Sequence, residues 1–166
     1  VGLLAQGQVK AVDTVVNALG NLDILKKGRV HPLSVLSALL TYRSGQSVRG
    51  HGEWKVVPRI VDALNDAFYL SFGAVEPTGK STMLLIDVSG SMFGGYYDSV
   101  GGIPGMYPAL GAAVMAMVTA RVEKDYSFLG MDIRPHQMDI TPATRLEDVE
   151  MKMKNCRWGG GTDLSQ

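Results

Sequence analysis

Apolar residues recur at helical spacing through the first half of the chain. In QVKAVDTVVNAL, residues 8–19, Val9, Val12, Val15, Val16 and Leu19 share one face, and Gly20 and Asn21 end the pattern. LDILKKGRVHPLSVLSALLTY predicts a short helix, a turn at Gly28, and a longer helix opened by Pro32 with Leu33, Leu36, Leu39 and Leu40 inward. RSGQSVRGHGEWKV, with three glycines, reads as loop. Pro58 opens a further helix on which Ile60, Val61, Leu64, Phe68 and Phe72 share a face. Short amphipathic helices joined by short turns predict stacked helical pairs, although no sequence repeat accompanies them.

The pattern changes after Gly73. GAVEPTGKS predicts a linker, and TMLLID an apolar strand without alternation, hence buried on both faces. The loop SGSMFGGYYDSVGGIPGM precedes a helix from about Pro108 to Val122. YSFLGM predicts a second buried strand, and RLEDVEMKMKN an amphipathic helix. Strand, loop, helix, strand and helix in this order predict a parallel α/β sheet. Such sheets bind ligands at the carboxyl ends of their strands, where Asp87 falls. An open edge on so small a sheet would favour self-association.

Charge separates the halves in the same way. Among the chain's 166 residues, sixteen Lys and Arg balance sixteen Asp and Glu. Yet Lys26, Lys27, Arg29, Arg43, Arg49, Lys55 and Arg59 face a single acid, Glu53, between residues 26 and 59. Residues 81–166 carry seven basic and ten acidic residues. A basic front and an acidic back predict two units with different tasks. The basic cluster suits RNA phosphates, with Tyr42 and Trp54 available to stack on bases; a solvated helical surface with aromatics packed between helices fits the same residues. The single cysteine, Cys156, excludes an internal disulfide and, with no signal peptide at the start, predicts a cytoplasmic protein. A chain that opens on Val1 and stops just after GGGTD reads as a piece of a longer one.

The chemistry concentrates in DVSGSM. Alternate residues on an extended turn point the same way, so Asp87, Ser89 and Ser91 can converge, with Gly90 permitting the tight turn. One carboxylate and two hydroxyls are hard donors, suited to magnesium or manganese and not to zinc or copper. The bare spacing also fits a helix cap with the serines on turn amides. The strand before and the helix after favour the cation. Other signals carry less. GAVEPTGKS lacks both the spacing and the strand–helix context of a phosphate-binding loop. His31 stands at a helix start, and His51 and His136 are scattered. Nothing resembles a catalytic triad, and no enzymatic activity is expected.

DVSGSM after an apolar strand resembles the metal-ion-dependent adhesion site of von Willebrand factor A domains. In that family the Asp-x-Ser-x-Ser turn is joined by a distant threonine and a later aspartate. Gly160-Gly161-Thr162-Asp163 matches the threonine loop, so the resemblance makes Thr162 the fourth ligand; Asp163 would hold the loop or cap the next helix, and the later aspartate falls beyond Gln166. RVHPLSVLSALLTYRSGQSVRG, DALNDAFYLSF, VEPTGK and EKDYSFLGM extend the likeness to the Ro autoantigen family, the TROVE-module proteins. The loop GGYYDSVGGIPGM is similar to bacterial or phage members.

The resemblance implies HEAT-like α-helical repeats over residues 1–74, a linker at 75–80, and the first half of a Rossmann-like A domain over 81–166. It further implies binding of small Y-like RNAs and of misfolded noncoding RNA 3′ ends. Polynucleotide phosphorylase, an exoribonuclease, and an acidic protein ligand at the metal would be partners, with no DNA and no membrane involved. A different reading is a metal-dependent protein-interaction module that binds no RNA.

Overall fold

The computed structural model describes residues 2–93 and 99–156, and the chain divides into two units, Val1–Val75 and Glu76–Gln166. In the first unit the helices are α1 (Gly2–Leu19), α2 (Leu22–Lys27), α3 (Pro32–Ser44) and α4 (Pro58–Ser71). Proline occupies the first turn of α3 and α4, where its missing N–H costs nothing. Side chains close the amino ends of α2 and α3. Asn21 accepts from the amides of Asp23 and Ile24 at 2.9 and 3.2 Å. His31 Nδ1 accepts from the Leu33 amide at 3.2 Å, which gives that histidine a structural task. α3 ends on Gly45 in the left-handed region at φ 73°, where a side chain would be strained.

The core of this unit lies between α3 and α4. Val35, Leu36, Leu39 and Leu40 meet Leu64, Ala67 and Phe68, all buried. Phe68 packs edge-on to Tyr69 and Phe72, with ring centroids 4.9 and 5.3 Å away. α1 packs on α4, but Val9 and Val15 remain 57% and 42% exposed. The apolar stripe expected on α1 is therefore wider than the surface that α2 and α4 offer it. After α3 the chain makes a hairpin, with Gln46 bridged to Glu53 and the Trp54 amide bonded to Gly45 O at 3.0 Å.

The second unit holds β1 (Thr82–Asp87), α5 (Pro108–Val122), β2 (Tyr126–Met131), β3 (Pro135–Gln137) and α6 (Leu146–Asn155). β1 and β2 run parallel from Thr82↔Tyr126 to Asp87↔Met131. β3 pairs antiparallel with β2, so the described sheet is mixed, in the order β1-β2-β3, where the pattern predicted only parallel strands. α5 packs on β1, β2 and α6 through Ala109, Ala113, Ala116 and Ala120, all essentially buried. Their small size lets the helix come close to the sheet. Gly130 on β2 allows a different close approach, by the segment after β3 and the end of α6: a Cβ there would stand 2.9 Å from Met138 Sδ and 3.1 Å from Cys156 Cβ.

β1 is not buried on both faces. Met83 is 66% exposed and Leu85 50%, while Ile86 on the opposite face is 5% exposed. An apolar run is equally consistent with one covered face or two, and here α5 covers one of them among the described residues. The stretch expected to be linker is anchored. The amides of Thr78 and Gly79 donate to the Glu123 carboxylate at 2.8 and 3.2 Å. The Thr78 amide bond, chiefly, holds the Glu123 carboxyl below the ordinary glutamate range, against a smaller opposing effect of desolvation. Because the folded value is the lower one, this clamp contributes fully above the ordinary glutamate range and is lost as pH falls through the lowered value. Protection of the Thr78 and Gly79 amides is accordingly expected to be constant from neutral pH to about 5 and to drop below that range. In Glu123→Gln it should lack that acid step. Amide-exchange protection factors measured across pH check this, and an acid step surviving in the variant would exclude the clamp.

Candidate functional site

Asp87 is the last residue of β1 and Val88 is fully buried behind it. The Val88 amide donates to Met131 O at 2.9 Å, which carries the parallel pairing one step past the strand and fixes where the chain turns. At that turn Asp87 Oδ1 accepts from the Ser89 amide at 2.8 Å. Ser89 Oγ and Ser91 Oγ lie 3.1 Å apart, Ser89 buried and Ser91 exposed. The turn thus has the aspartate-to-amide bond of a cap and also the convergence of a binding site. Adjacent ligands of an octahedral magnesium at about 2.1 Å stand about 3.0 Å from one another. The separation of the two hydroxyls fits that edge, and the hard donor set fits the ion. Thr162 and Asp163 lie outside the described residues.

A second carboxylate stands at the same end of the sheet. Asp132 follows β2 directly and is completely buried, accepting from the amides of Ile133 at 2.6 Å and Arg134 at 3.4 Å. The sequence pattern does not single it out. The available signal was an acid placed just after the apolar run YSFLGM, as Asp87 is after MLLI. Burial, and secondarily the charge of Asp132, pushes the Cys156 thiol up, so this cysteine is poorly suited to act as a thiolate.

The basic residues separate into groups within the first unit. Lys26, Lys27 and Arg29 are exposed around the end of α2. Arg43 is exposed in the last turn of α3, Arg49 in the hairpin and Lys55 just after it. Lys55 lines an open groove with Ser44, Gly45, Gln46, Glu53 and Trp54. Arg59 is exposed and paired with Asp13. Tyr42 and Trp54 stack on each other with centroids 6.1 Å apart and planes 17° apart. The Trp54 indole donates to Tyr42 O at 2.8 Å, and the Tyr42 hydroxyl accepts from the Val57 amide at 3.2 Å. Both rings are thus engaged within the chain. No described helix is long and apolar enough to cross a membrane.

The strand, turn and helix of the second unit define a von Willebrand factor A-type domain, and residues 81–166, just over half of the chain, match the family model described as the Ro60 vWA domain. The chain belongs to the Ro family. It is 42% identical over all of its 166 residues to the RNA-binding protein RO60 of Deinococcus radiodurans, covering 30% of that protein. Over 83 residues, half of the chain, it is 40% identical to the RNA-binding protein RO60 of Caenorhabditis elegans, covering 13% of it. The crystal structure of the Deinococcus radiodurans RO (RSR) protein superposes with a TM-score of 0.78 at 43% identity, over 86% of this chain and 28% of that one. The chain therefore spans less than a third of the length of these relatives.

Proposed function

We propose that this chain is part of a Ro-type RNA-binding protein and is not itself an enzyme. The observation that carries the reading is the 42% identity, over the whole chain, to a protein named for RNA binding. In this reading the helices of the first unit belong to a ring of HEAT-like repeats that the A domain closes. The ring binds small Y-like RNAs on its outer surface and takes the single-stranded 3′ ends of misfolded noncoding RNAs for quality control in the cytoplasm. An exoribonuclease such as polynucleotide phosphorylase is the partner that would degrade them.

Asp87, Ser89 and Ser91, completed by Thr162, would hold magnesium or manganese. The bound ion would supply an open coordination position for a carboxylate of an acidic protein partner. The chain's own part is to aim the donors: the bond from the Ser89 amide orients Asp87, and the burial of Ser89 fixes its hydroxyl.

The test is the affinity of the complete protein for a small RNA with a duplex and a single-stranded 3′ tail, titrated across salt. Tight binding at low salt is expected, weakening by about a thousandfold between 50 and 200 mM if about six phosphates are contacted. Absence of binding at low salt would remove the RNA reading and leave a metal-dependent protein-interaction module.

A further inference from the structure

Arg29 is the only non-glycine residue with left-handed backbone among those described, at φ 48°. The turn after α2 places it there. The Val30 amide donates to Leu25 O at 2.9 Å and the Arg29 amide to Lys26 O at 3.0 Å. This pair of bonds is a Schellman closure, and it puts Arg29 at the position just past the cap, where glycine is the usual occupant because a Cβ crowds the backbone. The glycine stands one residue early: Gly28 is right-handed at φ −78°.

A strained backbone that persists at an exposed position points to a use for the side chain. Arg29, Lys26 and Lys27 are all exposed, and none takes part in an ion pair among the described residues. Complementing the helix dipole does not account for Arg29. Lys26 and Lys27 already occupy the last turn of α2, and a dipole does not demand a left-handed residue. Three cations within four residues, with no acid among them, suit a polyanion whose charges recur along a chain.

We infer that the turn from Lys26 to Arg29 is a contact for the RNA phosphate backbone. Arg29 presents its guanidinium fork to one phosphate, and Lys26 and Lys27 act as point charges on neighbouring phosphates. This rests on the RNA-binding reading above.

The test is Arg29→Gly in the complete protein, with the tailed duplex RNA as probe. The melting temperature is expected to rise by a few degrees as the strain is relieved. RNA affinity is expected to fall about tenfold, and the slope of log affinity against log salt to fall by about 0.7 to 0.9, the share of one phosphate that is no longer neutralised. Arg29→Lys, which keeps the charge without the fork, should fall between. The double exchange Lys26→Gln and Lys27→Gln, away from the strained residue, should weaken RNA binding and lower the melting temperature only slightly, by the lost complement to the helix dipole. Stability and affinity moving in opposite directions in Arg29→Gly is the supporting result. A lower melting temperature would mean that Arg29 serves the fold. Unchanged RNA affinity would exclude the contact, including the case in which binding of an acidic protein weakens instead. A wild-type protein that binds no RNA would remove the Ro-type reading itself, and this contact with it.

Discussion

Asp87→Ala is expected to reduce magnesium binding by the complete protein at least about a hundredfold, while RNA affinity stays within a few-fold. Magnesium gives up its water reluctantly, and two serine hydroxyls offer it little that water does not. The carboxylate would supply the negative charge that makes the exchange favourable. Removing it also removes the acceptor for the Ser89 amide, a loss of about 1 kcal/mol to the local fold. Asp87→Asn separates the two roles, because its amide oxygen can still accept from Ser89. Loss of magnesium binding in both variants would assign the effect to charge. Retention of binding in Asp87→Asn would assign it to turn geometry, and retention in Asp87→Ala would place the cation elsewhere. A large loss of RNA affinity in a folded Asp87→Ala protein would mean that RNA is held at the A domain. Calorimetric titration with magnesium, beside the RNA titration, reads all of these outcomes.

Phe128→Ala is expected to destabilise the second unit by about 3–5 kcal/mol, read as a lowered urea midpoint. Phe128 is 1% exposed, stands opposite Leu84 in the parallel register, and packs against Tyr126 with ring centroids 5.3 Å apart. The Met138 amide donates to the Phe128 backbone carbonyl at 3.0 Å, a bond that the variant keeps, so the measured loss reports on the buried ring. Leu85→Ala is the useful contrast. Leu85 points from the other face of the sheet and is half exposed, so its loss should cost below about 1 kcal/mol. A cost as large as that of Phe128→Ala would reveal that the face carrying Met83 and Leu85 is covered in the complete protein.

Much of the fold was legible because its boundaries carry unambiguous chemistry. Pro32, Pro58 and Pro108 start helices where a missing N–H is harmless, and the strands TMLLID and YSFLGM begin and end where the apolar runs do. The misses have physical causes. Apolarity marks β1 as a strand but does not count its covered faces. β3 is Pro-His-Gln, three residues without an apolar run, and exists only because β2 offers it an edge. The turn expected at Gly28 is present, with its left-handed position on Arg29 because the closure runs through Leu25, Lys26 and Val30. At the candidate site, the convergence of Asp87, Ser89 and Ser91 follows from alternation along the turn. The burial of Asp132 depends on tertiary packing, which no local pattern encodes.

The parallel pairing of β1 with β2 has a consequence during synthesis. β1 is made first, but its partner follows only after residues 88–125. At about 5–20 residues per second the nascent strand waits some 2–8 seconds for its neighbour, with Ile86, buried in the finished fold, still open to chaperones. The turn waits with it, because the Val88 amide has no acceptor until Met131 has been added. A polypeptide released between residues 92 and 125 would carry Asp87, Ser89 and Ser91 in its sequence without yet holding them as a site.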